Sequence, residues 1–87
     1  MSKVSLSPAQ CRAARALLDI DQATLAHRAV VPRDLLADFE AGIRHPNENN
    51  LAAIRIALEL AGVIFLDDDR GGGIGHRITG GREGVGS

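Results

Sequence analysis

The side chains of widest chemical range in this sequence are three histidines, His27, His45 and His76, and one cysteine, Cys11. A zinc centre needs several N or S ligands converging at short spacings. The three histidines fall on three separate elements with no Cys or His partner at ligand spacing, so no metal is expected. Asp67, Asp68 and Asp69 run into Gly71, Gly72 and Gly73. A calcium loop alternates its ligands and closes with a glutamate; this run does neither and reads as a hairpin turn. The glycines are followed by neither a helix nor Gly-Lys-Ser/Thr, so they make no phosphate-binding loop. Cys11 lies on an apolar stripe and reads as core. No nucleophile is paired with a base, so neither an enzymatic activity nor a cofactor is expected.

The elements that carry these side chains are short helices. Ser7 can cap, Pro8 suits the first helical position and Gln10 completes a capping box. Cys11, Ala14 and Leu18 then recur at helical spacing, with Leu17 beside them. After a break at Asp19 and Ile20, Asp21 caps a second helix over residues 22–29 that buries Leu25 and Ala26. Val30, Val31 and Pro32 interrupt the pattern. A third helix covers about residues 33–41, with Leu36 and Phe39 inward, and Gly42 ends it in the left-handed conformation. A polar loop over 43–49 contains Pro46. A fourth helix, about 50–61, carries Leu51, Ile54 and Leu58 and stops at Gly62.

Residues 63–66 are an apolar run rich in strand formers. Residues 67–75 are turn-like, and 75–79 supply a return strand. The Gly-rich, polar stretch 80–87 reads as a disordered tail. The predicted fold is mainly α: a compact bundle of four to five short helices with a helix-turn-helix, followed by a C-terminal β-strand or hairpin. Residues 1–66 form the domain and 63–79 the appendage.

Composition narrows the function classes. A chain of 87 residues suits one small domain. No run of about 18 apolar residues is present, so no membrane span is expected. The first residues lack the apolar stretch of a signal peptide, and a lone cysteine fits a reducing cytoplasm. Aromatic residues make up 2% of the chain, which argues against a base-stacking platform for single strands. The formal net charge is -1, from 10 basic and 11 acidic residues. Nucleic-acid binding by such a chain requires its charges to be separated between faces, or a modest affinity reinforced by dimerisation.

The stretch DQATLAHRAVVPRDLLADFEAGIRHP, residues 21–46, is flanked by CRAARALLD and NNLAAIRIALELAGV. It resembles the lambda-repressor-like (Cro/C1, or Xre) helix-turn-helix family, over roughly residues 7–66. Gln22, Leu25, Ala26, Ala29, Val31, Leu36, Phe39, Glu40, Gly42 and Pro46 fall in register. The resemblance implies a small transcriptional regulator, a repressor or activator. It would bind double-stranded DNA sequence-specifically, as a homodimer on a palindromic operator, with the third helix in the major groove.

Position by position, the resemblance implies phosphate contacts from Gln22, Arg44 and Asn47. It places Arg33, Asp34, Ala37 and Asp38 where side chains face base edges. Arginine can grip guanine O6 and N7, and aspartate can accept from cytosine N4; a helix N-terminus such as that at Gln22 attracts an anion. Asp34 also suits the helix dipole, whereas Asp38 repels phosphate. Arg15 and Glu40 are implied as a partly buried structural ion pair.

Three positions depart from the family pattern. Val30 stands where a turn glycine is usual, Pro32 where a capping Ser or Thr is usual, and the outward face of the third helix is poor in donors. A second reading is a protein-interaction module, antitoxin-like or anti-activator, that uses the same fold to bind a partner protein.

Overall fold

In a computed structural model, which describes residues 5–66 and 73–76, the chain is mainly helical. The four helices are α1 (Pro8–Leu18), α2 (Gln22–Ala29), α3 (Arg33–Glu40) and α4 (Glu48–Leu60). Two strands follow, β1 (Val63–Leu66) and β2 (Gly73–His76). Residues 67–72 of the expected turn, 77–79 of the expected return strand and the expected tail at 80–87 lie outside the described residues.

Local chemistry sets the helix starts. Ser7 Oγ accepts from the Gln10 N–H at 3.0 Å and Gln10 Oε1 accepts from the Ser7 N–H at 2.9 Å, a reciprocal capping box. Asp21 Oδ1 accepts from the Thr24 N–H at 2.8 Å and caps α2. That bond, with smaller help from the nearby Arg33 charge, holds the Asp21 carboxyl below its usual range. α4 begins at Glu48, two residues before its expected start, because Asn47 Oδ1 accepts from the Asn50 N–H at 2.8 Å and makes Asn47 the cap. α3 opens on Pro32 with no side-chain cap.

Three helices end in one way. Ile20, Val31 and Ile43 donate backbone N–H groups to the carbonyls of Arg15, Ala26 and Asp38, five residues back. Asp19, Val30 and Gly42 close the inner bonds to Ala16, His27 and Phe39. This Schellman pattern needs a left-handed residue at the turn. Gly42 adopts it freely at φ 79, and Asp19 adopts it at φ 58 as an aspartate can. Val30 adopts it at φ 58, ψ 49 although β-branched.

The Val30 side chain is 87% exposed, so no packing offsets that backbone cost. Val30→Gly should therefore raise stability by about 0.5–1 kcal/mol. This is the left-handed penalty of ~1–2 kcal/mol less the greater freedom glycine has in the unfolded chain. Thermal denaturation should show the midpoint rising by roughly 4 °C. A midpoint that fell would show the turn to be unstrained.

The core lies where the four helices meet. Leu25, Leu36, Phe39, Ile54, Leu58 and Cys11 are the largest of its fully buried side chains, and Leu6, Val31, Leu35, Leu51 and Val63 are among the residues buried around them. β2 starts at Gly73, two residues earlier than the return strand expected from the sequence. It pairs antiparallel with β1, Val63 opposite His76 and Leu66 opposite Gly73. That register brings Gly73 and Ile74 into the strand instead of the turn. The hairpin is built into the bundle, β1 against α4 and β2 against α1. The period of two sends Val63 and Phe65 to the core, while Leu66 is exposed. The Arg55 guanidinium sits over the Phe65 ring, 4.6 Å from its centroid, and Arg55 Nε donates to Glu59 Oε2 at 3.0 Å.

Candidate nucleic-acid interface

α3 is amphipathic in a simple way. Leu35, Leu36, Phe39 and Glu40 are buried, Arg33 and Asp34 are exposed, and Ala37 and Asp38 are half-buried. The inward residues, Leu35 and Leu36 of the first turn among them, pack the helix against α1, α2 and the core and leave Arg33 and Asp34 exposed at its start. α2 and the turn at Val30 lead straight into that start. Arg33 thus stands on a rigid helix start, with Asp34 beside it and Ala37 one turn on.

Glu40 anchors the back of the helix. Arg15 Nε donates to Glu40 Oε2 and Arg15 Nη2 to Oε1, both at 2.8 Å, a forked pair. Gln22 Nε2 donates to Oε1 at 2.9 Å and the Cys11 thiol to Oε2 at 3.1 Å. Arg12 donates to the Glu40 carbonyl and so caps the end of α3. Arg15 also donates to the Ile20 carbonyl at 3.2 Å. One carboxylate, 3% exposed, therefore ties α1, α2 and α3 together. Burial pushes the Glu40 carboxyl up, but the bonds from Arg15, Gln22 and Cys11 outweigh it and leave the group below its usual range. Burial, reinforced by the Glu40 carboxylate, pushes the Cys11 thiol far up. Cys11 is thus a neutral core donor, a role its position on the apolar stripe only half revealed.

The residues expected at phosphates are placed unevenly. Gln22 turns its side-chain donor inward to Glu40, because the buried carboxylate is a stronger acceptor than water. Asn47 spends its side-chain oxygen on the cap of α4. Arg44 is half-exposed in the loop after α3, and its Nη2 lies 3.7 Å from Asp38 Oδ2. Asp38 is therefore directed at Arg44 in the free protein. Sequence reasoning missed the Cys11, Arg12 and Gln22 bonds to Glu40. The spacing of Cys11, Arg12 and Arg15 within about one turn of α1 was the available signal.

Among the described residues, no group of three or more His, Cys, Asp or Glu side chains could hold a metal ion. No helix among them is long and apolar enough to cross a membrane. No protein-family model matches the chain, and no curated protein does.

Proposed function

We propose that this protein binds double-stranded DNA sequence-specifically as a small transcriptional regulator of the lambda-repressor-like kind. In this reading α3 enters the major groove, Arg33 and Asp34 meet base edges, and Arg44 meets phosphate. The observation that carries it is the division of α3. Four of its eight residues, Leu35, Leu36, Phe39 and Glu40, are buried, and Arg33 and Asp34 at its start are exposed. Ala37 contributes a small side chain that permits close approach to a base pair, where its methyl can meet a thymine methyl.

A homodimer fits the two-fold symmetry of a palindromic operator. Ile56 and Leu60, one helical turn apart on α4, and Leu66 on β1 are exposed apolar side chains available to such a contact. The outward acids Asp34 and Asp38 favour the second reading, in which α3 docks a basic segment of a partner protein.

The two readings separate on the salt dependence of duplex binding. A DNA binder should lose affinity linearly in log salt, with a slope of about -0.9 for each phosphate engaged. Titrating promoter fragments at several salt concentrations measures this. Failure to retain any duplex at low salt, with a protein partner captured instead, would replace the first reading by the second.

A further inference from the structure

We infer that Asp38 is a specificity-determining residue: its carboxylate stands in for a phosphate and holds Arg44 back from non-cognate DNA. The inference rests on the DNA-binding reading above and gives the acid on the outward face of α3 a role in it. Asp38 holds the loop twice. Its carbonyl accepts from the Ile43 N–H at 2.8 Å and from the Arg44 N–H at 3.2 Å, which folds the loop back over the end of α3. Its carboxylate then faces the Arg44 guanidinium at 3.7 Å, with the two side chains 38% and 51% exposed. Backbone and side chain thus converge on one residue, and the position of Arg44 follows from the path of the loop.

The pair is suited to opening. Exposed ion pairs are weak, so a phosphate can displace the carboxylate when something else compensates Asp38. A cytosine amino group is such a compensation, since aspartate accepts from cytosine N4 in the major groove. On DNA that offers no donor at that place, Arg44 reaches a phosphate only by leaving Asp38 unpaired beside the backbone. Phosphate contacts strengthen binding to every sequence alike. A carboxylate that restrains one of them therefore lowers non-specific affinity and widens the ratio on which recognition depends.

The test is a double-mutant cycle on a fluorescent random-sequence duplex, with Asp38→Asn, Arg44→Ala and the pair combined. The Asp38→Asn substitution keeps the backbone carbonyl that closes the helix end, and circular dichroism confirms that each variant is folded. Asp38→Asn should tighten random-duplex binding about fivefold at low salt and steepen the salt slope by about 0.9, one phosphate's worth. In the Arg44→Ala background the same substitution should leave the slope unchanged. An undiminished gain in that background would show that Asp38 only repels DNA, and an unchanged slope for Asp38→Asn alone would show that Arg44 is not restrained; either overturns the inference. A wild-type protein that binds no duplex at any salt concentration overturns the DNA-binding reading itself, and is recognised by flat titrations in all four proteins.

Discussion

Replacing Glu40 by alanine should destabilise the protein by about 3 kcal/mol, at the low end of the range for breaking a buried ion pair. The substitution removes an acceptor shared by Arg15, Gln22 and Cys11. The Cys11 thiol is fully buried and has no route to water for its lost bond. Arg15 retains 20% exposure, so water recovers part of its loss and keeps the cost below the upper limit. The same group gives stability a pH dependence of definite sign. Glu40 is held below its usual range when folded, so its contribution is fully present above the unfolded pKa. It is lost as pH falls through the lower folded value. Urea denaturation of wild type and Glu40→Ala at neutral and at acid pH measures both effects. The gap between the two proteins should be widest at neutral pH and shrink on acidification. Equal midpoints at neutral pH would mean that the network contributes nothing net.

The second large effect is expected on binding. On the proposed DNA-binding reading, Arg33→Ala should cost about 1–3 kcal/mol on the preferred site and blur the choice at one base position, as loss of a bidentate guanine contact would. Binding to scrambled DNA should fall far less. The distinction follows from the placement of Arg33. It stands exposed on the first turn of a helix whose opposite face is buried, so it can approach a base edge without repacking the core. Selecting preferred duplexes from a randomised pool with wild type and variant, then titrating each, reads both quantities. An unchanged preference in the variant would remove Arg33 from base recognition and shift attention to Asp34 and Ala37. Stability should change by no more than about 0.5 kcal/mol, because the Arg33 side chain is exposed, contributes no core packing and only assists the Asp21 cap through its charge.

The short-range features were legible in the sequence because their physics is short-range. The caps at Ser7 and Asp21 act across three residues, and the left-handed end at Gly42 needs only a glycine after an apolar helix. The core stripe of Leu25, Leu36, Phe39, Ile54 and Leu58 follows from helical period alone. Where several residues compete for one local role, the sequence left a choice. The start of α4 reads at about residue 50 inside a polar stretch, whereas Asn47 caps the helix and starts it at Glu48. Val30 stands where a turn glycine is usual, but a β-branched residue disfavours the left-handed conformation, so its type left open whether the turn is strained or differently shaped. The tertiary structure imposes it by burying Ala29 and Val31 on either side while the chain reverses into α3. The register of β2 likewise depends on how the hairpin packs against α1. The Arg15–Glu40 pair is expected from the family resemblance, but the rest of the Glu40 network lay beyond local reading. Its partners lie 18 to 29 positions away, and only the folded bundle decides that Gln22 turns inward to Glu40 while Arg44 turns back to Asp38. Each donor goes to the nearest strong acceptor in space, and nearness in space is what the fold adds to the sequence.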